Sequence, residues 1–292
     1  EMKHDVMAMV TAIAEQCGDA GRYVHLGATS NDIVDTAAAL GFKSALDIIE
    51  RDLDGLIITM SALAFKHRRT VMMGRTHGQF AIPTTLGFKL AGYISELLRH
   101  RQRIMEIRPR VCVGKMSGAI GTGAGFGDRF FRIQDLVMKD LGLGQEEAAT
   151  QLVCRDRYAE LVFELGLIST SCERYATEVR NLQRSEIGEI AEAFDAKKQV
   201  GSSTMAQKKN PMLSENVSGL ARVVRGKLLS LREEDLFDAA PNEWEGGEVY
   251  PAQDEVQNVR AYLSRMVELI RKDGVTFPNN KHRDLARVDA LF

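Results

Sequence analysis

Residues 33–66 read IVDTAAALGFKSALDIIERDLDGLIITMSALAFK, and within them Leu46, Ile49, Leu53, Leu56, Met60 and Leu63 follow at steps of 3, 4, 3, 4 and 3. Such steps line one stripe of an α-helix, the seam along which helices pack at about 20° in a bundle. A helix over this stretch would be about 50 Å long at about 1.5 Å per residue, which points to an oligomer rather than a compact monomer. The spacing recurs at Leu161, Leu165, Ile168, Cys172, Tyr175, Val179 and Leu182. A third series runs through Leu86, Leu90, Tyr93, Leu97, Ile104 and Ile107, with His100 in register. The chain has six prolines, none between Pro109 and Pro211. Pro83-Thr84-Thr85 reads as a helix start and Pro109 as the end of that helix. Strand-like alternation is almost absent. The pattern predicts an all-α chain of long, nearly parallel helices, joined by loops that hold the polar motifs.

Composition narrows the class. The 292 residues are 45% hydrophobic and 27% charged, with a net charge of −2. This is a soluble globular composition, not a disordered, collagenous or strongly nucleic-acid-binding one. No apolar run approaches the roughly 20 residues of a membrane span, and no signal-peptide pattern opens the chain. Cys17, Cys112, Cys154 and Cys172 show no CxxC spacing. They read as reduced core residues in a reducing cytoplasm. Residues 1–6 open inside a helical pattern without an N-cap, and residues 288–292 end without a stop signal, so a fragment of a longer chain is expected.

Four polar segments interrupt the helical pattern. The first is Lys3-His4-Asp5, where a lone histidine on a helix is weak evidence of function. The second, His25-Leu26-Gly27-Ala28-Thr29-Ser30-Asn31-Asp32, precedes the long helix. Capping explains Ser30 or Asp32 alone. Thr29, Ser30 and Asn31 together exceed what a cap needs, and hydroxyls with free N–H groups at a helix start suit a phosphate or carboxylate. The third is Gly74-Arg75-Thr76-His77-Gly78-Gln79, in which His77 has no apolar face to pack and can give a proton to a leaving group near neutral pH. The fourth is Gly201-Ser202-Ser203-Thr204-Met205-Ala206-Gln207-Lys208-Lys209-Asn210-Pro211. Asn210 reads as an N-cap and Pro211 as a first helical residue. A serine is a weak base unless its alkoxide is stabilised, and Lys208, Lys209 and a helix N-terminus would stabilise it, or equally a substrate carboxylate. A solvated loop is the bland alternative. The glycines of 121–127 lack a GK[ST] ending and a preceding strand, which excludes a P-loop. Residues 195–198 read as a solvated helix end.

Taken together, HLGATSND, GRTHGQFAIPTT, QLVCRDR and GSSTMAQKKNP, in this order and spacing, resemble the fumarase/aspartase superfamily and, within it, the adenylosuccinate lyase family. The similarity runs from about residue 1 to residue 232. The resemblance implies a long-helix bundle that forms a tetrameric helical core, with each active site built from three subunits. It implies an anti β-elimination releasing fumarate from a succinylated nucleotide, with no metal or organic cofactor and no nucleic-acid or membrane partner. Carried over by motif, Ser202 is the base, with Ser203 the second candidate. His77 is the acid, and Glu215 orients a histidine of another subunit. Lys208 and Asn210, with Lys209 beside them, hold the succinyl carboxylates. Thr29 and Ser30, followed by Asn31 and Asp32, bind a carboxylate or the phosphate. Lys3, His4 and Asp5 lie near phosphate and ribose, Thr76 beside the acid, and Gln151 near the middle of the substrate.

The pattern departs from the family in three places. Met205-Ala206 stands where Met-Pro is usual, and an N-terminal Arg-Tyr stretch is absent. Residues 233–255 hold nine acidic residues and no Lys or Arg, where a phosphate-binding Arg is expected. The domain reading is 1–25 as the end of an N-terminal helical domain, 26–232 as the central bundle, and 233–292 as a divergent end leading into a C-terminal region. Alternatives are another superfamily lyase, such as argininosuccinate lyase, aspartase or a carboxymuconate cycloisomerase; QKKNP slightly favours argininosuccinate lyase, but GRTHGQ-A-PTT does not. A catalytically inactive structural homologue is the other alternative.

Overall fold

The computed structural model describes residues 4–194, 200–205 and 207–229. Its elements run α1 (Asp5–Gln16), α2 (Ser30–Lys66), β1 (Val71–Thr76), β2 (Gln79–Thr85), α3 (Leu86–Val111), β3 (Val113–Gly114), α4 (Phe130–Leu141), β4 (Gly144–Gln145), α5 (Asp156–Leu182) and α6 (Met212–Leu229). The class is helical, as the spacing predicts. The 37 residues of α2 make a rod of about 55 Å. The heptad-like positions of α2 and α5 are buried throughout, and in the third series Leu90, Leu97, Ile104 and Ile107 are buried while Leu86 and Tyr93 are half-buried.

The described chain divides into two compact units. The first holds residues up to Leu46 and Glu106–Leu161; the second holds Asp47–Met105 and the described residues from Val162 onward. The domain boundary expected after residue 232 lies outside the described residues, as do residues 195–198.

In the first unit, α4 ends on Gly142 in a left-handed conformation, and Lys43 of α2 donates to the carbonyls of Leu141 and Gly142 at 3.3 and 2.9 Å. A cation at the negative end of a helix is favourable. Phe42 meets Tyr158 edge to face with centroids 4.8 Å apart. Of the glycines of 121–127, Gly121, Gly123 and Gly125 sit where a Cβ would crowd neighbouring atoms, whereas nothing lies near one at Gly127. A Cβ at Gly27 would lie 2.9 Å from the Gly125 carbonyl oxygen, and one at Gly121 only 1.8 Å from that of Ala149.

In the second unit, Leu56, Met60, Leu97 and Cys172 are among the side chains closing around a cavity of about 10 Å³, room for one water at most. His100, Glu164 and Ser171, all buried in this unit, are paired. His100 bonds Glu164 at 2.7 Å and the Ser171 hydroxyl at 2.8 Å, and that hydroxyl donates to Glu96 at 2.6 Å. These directional contacts fix the register of α3 against α5, because a slipped register would orphan buried polar atoms.

The helix expected to begin at Pro83 begins at Leu86 instead. Residues 71–85 form an antiparallel hairpin in which Pro83 pairs with Met73, and the ladder is irregular between Met73 and Arg75. A proline tolerates a strand only where its missing N–H is not needed, and here β2 is an exposed strand of a two-stranded ladder. Thr85 caps α3, accepting the Phe88 N–H at 3.2 Å. The expected helix end at Pro109 falls two residues before the observed one at Val111.

Cys17 and Cys154 are exposed whereas Cys112 and Cys172 are buried, and burial pushes the Cys172 thiol up to about 12. Only thiolates alkylate readily. Iodoacetamide at pH 8 is therefore expected to label Cys17 and Cys154 in the folded protein and to reach the other two after denaturation. Equal labelling of all four in the folded state, read by peptide mass spectrometry, would contradict this core.

Candidate active site

The first unit gathers one set of the expected residues. His4 caps α1, its Nδ1 accepting the Met7 N–H at 3.3 Å, and Asp5 opens the helix with an exposed carboxylate. Lys3 lies outside the described residues. Thr29, Ser30 and Asn31 are half-buried at the start of α2, and the Thr29 N–H donates to Asp32 at 2.8 Å in the manner of a capping box. Asp32 is a correction to the sequence reading. It is fully buried and takes Lys115 Nζ at 2.7 Å, Ser117 N at 2.9 Å and Gly118 N at 3.0 Å. With four internal donors and no surface, it is scaffold rather than a ligand contact. Lys115 Nζ also donates to the Gln151 carbonyl at 2.8 Å, so this ion pair brings Gln151 beside the start of α2. One turn on, Asp35 accepts Val153 N at 2.8 Å and the Arg155 guanidinium at 3.1 Å.

His25, the first residue of this segment, has a left-handed backbone with φ 65°, and its buried Nε2 has no hydrogen-bond partner. Such strain in a non-glycine residue, with an orphaned polar atom, is common at functional sites. The only other described non-glycine residue with positive φ is His77, at 53°.

The second unit holds the other set. His77 and Gly78, at φ 53° and 74°, form a two-residue turn between Thr76 and Gln79, which pair across the hairpin. Both central residues having positive φ is the type I′ geometry that matches strand twist. The turn sets Thr76 and His77 exposed at its tip. Beyond it, the Ser202 hydroxyl oxygen accepts N–H groups of Thr204 at 3.3 Å and Met205 at 3.1 Å. Two backbone donors on one hydroxyl oxygen favour its anion. Among the described residues, the Ser203 hydroxyl meets Thr204 Oγ1, at 3.5 Å. Lys208 is exposed, Lys209 lies 5.5 Å from the Phe194 ring centroid, and Glu215 is exposed in the first turn of α6. Asn210 Nδ2 donates to the Gly201 carbonyl at 3.1 Å, closing the base of the loop. Ala206 lies outside the described residues.

The α6 N-terminus differs from the sequence reading. The sequence predicts that its N–H groups face an alkoxide or substrate anion, but those of Leu213 and Ser214 donate to Glu192 at 3.1 and 2.7 Å. An internal carboxylate already fills that positive end. Sequence reasoning also missed Lys115, whose signal was a single charge in the otherwise uncharged run Val111-Cys112-Val113-Gly114-Lys115-Met116. Asp35 carried no comparable signal, and Arg155 stood inside QLVCRDR without a role assigned to it.

These two sets sit in a chain that matches the family described as "Lyase" over residues 1–226. The chain belongs to this lyase family, within the fumarase/aspartase superfamily. Among its curated relatives are adenylosuccinate lyases: that of Pyrococcus abyssi is 52% identical over 229 residues, 78% of this chain and 51% of that protein. That of Aquifex aeolicus is 47% identical over 232 residues, 80% and 52% of the respective chains. The chain thus spans about half the length of the curated relatives it matches. Among solved structures, the 3-carboxy-cis,cis-muconate lactonizing enzyme of Pseudomonas putida is similar with a TM-score of 0.76 and 34% identity, covering 98% of this chain and 62% of that one. A fumarate lyase of Mesorhizobium sp. BNC1 gives 0.72 and 32%, covering 91% and 58%.

Proposed function

We propose that this chain carries the elimination chemistry of an adenylosuccinate lyase, releasing fumarate from adenylosuccinate to leave AMP. The same reading extends to the succinyl-carboxamide ribotide of purine biosynthesis. The observation that carries it is the Ser202 hydroxyl held by the N–H groups of Thr204 and Met205. That arrangement stabilises a serine alkoxide able to take a proton from the carbon beside a succinyl carboxylate. The C–H electrons become the new C=C bond of fumarate, the C–N electrons leave with nitrogen, and His77 protonates that nitrogen. Lys208, Lys209 and Asn210 hold the succinyl carboxylates, where negative charge gathers in the aci-carboxylate intermediate. Thr29 and Ser30 take a carboxylate or the phosphate, Lys3, His4 and Asp5 lie towards the phosphate and ribose, and Glu215 orients a histidine of a neighbouring copy. The reading includes a cytoplasmic homotetramer whose active sites are shared between subunits. The exposed hairpin side chains Phe80 and Ile82 suit burial against such copies. No metal or organic cofactor is required by this chemistry.

Residues 233–255 carry no Lys or Arg that could bind a phosphate, so in this reading the phosphate falls to Thr29, Ser30 and His4. The test is a spectrophotometric assay of the full-length protein with adenylosuccinate and argininosuccinate in separate arms. Fumarate from adenylosuccinate alone is expected; turnover of argininosuccinate alone, or of neither, overturns the reading.

A further inference from the structure

Residues 183–192, directly after α5, make more polar contacts than a simple connection needs. Gln183 accepts the Glu192 N–H at 2.8 Å and donates to the Lys209 carbonyl at 3.1 Å. Glu192 then grips the first N–H groups of α6. In the same stretch, Glu189 forms a two-pronged pair with Arg75 at 2.8 and 2.6 Å. Arg75 is on β1, two residues before His77. Hydrogen bonding to the guanidinium holds the Glu189 carboxyl below the usual carboxylate range. One segment is therefore tied at one point to the hairpin of His77 and at others to the C-terminal side of the loop base, at Lys209 and the start of α6.

We propose that this segment is a brace coupling the His77 hairpin to the base of the Ser202 loop, with Gln183, Glu189 and Glu192 as positioning residues for the elimination. The inference rests on the reading above for its effect on catalysis. Three physical points support it. A bidentate Arg–carboxylate pair fixes angle as well as distance, which a single contact does not. The Glu192 carboxylate satisfies the helix start internally, so α6 is anchored without substrate, and substrate carboxylates are left to Lys208 and its neighbours. Gln183 uses both ends of its amide, so the brace and the loop base cannot shift independently without breaking a bond.

The test uses the full-length protein with Glu189→Gln, Glu192→Gln and Gln183→Ala. Glu186→Gln serves as control, because among the described residues Glu186 pairs with its near neighbour Arg184. Amide hydrogen exchange is followed in peptides covering the hairpin and the loop base, beside kcat and KM for fumarate release. Each of the three is expected to quicken exchange at both places, including the one it does not touch. Each should lower kcat about 10- to 100-fold with KM within about threefold, as small misplacements of reacting groups do. The charge-swapped Arg75→Glu/Glu189→Arg pair should recover slow exchange at the loop base. Faster exchange confined to the substituted end, or an unchanged kcat, overturns the brace. Absence of fumarate release by the unsubstituted protein would overturn the functional reading alone, and the exchange data would still decide the coupling.

Discussion

Replacing Ser202 by alanine is expected to lower kcat for fumarate release by about 10³-fold or more, with the thermal unfolding midpoint unchanged. The two effects separate because of where the hydroxyl sits. It is half-buried, and its two hydrogen bonds come from N–H groups of the exposed residues Thr204 and Met205. Once the hydroxyl is gone, water can reach those donors, so the stability change should stay within about 0.5 kcal/mol. No water molecule reproduces a positioned alkoxide, so the chemical step would lose the base proposed for it. Ser203→Ala is the internal control. Among the described residues its hydroxyl takes no backbone donor, and its loss should cost less than about tenfold, because only a stabilised anion is useful as the base. If Ser202→Ala kept activity within tenfold while Ser203→Ala abolished it, the base would have to be reassigned to Ser203. Loss of activity together with a large fall in the unfolding midpoint would mean that the serine shapes the loop rather than reacting.

Much of this fold could be read from spacing, since burial on a helix is periodic and the series from Leu46 to Leu63 and from Leu161 to Leu182 needed nothing else. The hairpin could not. Its turn is His77-Gly78 rather than the Asn-Gly that announces a type I′ turn, and Pro83 imitates a helix start. The polar motifs announced themselves because glycine, hydroxyl and charged residues have no place in a bundle seam. The contacts that hold them did not. Glu192 reaches α6 across 21 and 22 residues, Glu189 reaches Arg75 across 114, and Lys115 reaches Asp32 across 83. Pairings at such separations leave no periodic trace. Asp32 illustrates the consequence: in sequence it belongs to a cluster suited to an anion, while in the fold it is itself the anion being bound.

That role makes Asp32→Ala the substitution with the largest expected effect on stability. Lys115 and Asp32 are both fully buried, so neither charge has water to fall back on. Lys115 Nζ is satisfied by Asp32, the Gln151 carbonyl at 2.8 Å and the Gly118 carbonyl at 3.4 Å. Removing the carboxylate leaves a buried ammonium with two carbonyls and orphans the N–H groups of Thr29, Ser117 and Gly118. Breaking one side of such a pair costs about 3–5 kcal/mol. Lys115→Met should cost less, because Asp32 would keep three N–H donors and the thioether would fill much of the vacated space. The double variant should not recover stability, since the three N–H groups stay unpaired whatever replaces the lysine. Urea unfolding of the full-length protein and its variants measures all three. A cost below about 1 kcal/mol for Asp32→Ala would contradict a dry, fully satisfied pair. The order matters for function as well as for folding. Because this pair holds the Thr29 N–H at one end and the Gln151 carbonyl at the other, Lys115→Met should also raise KM, while Ser202→Ala should act on kcat.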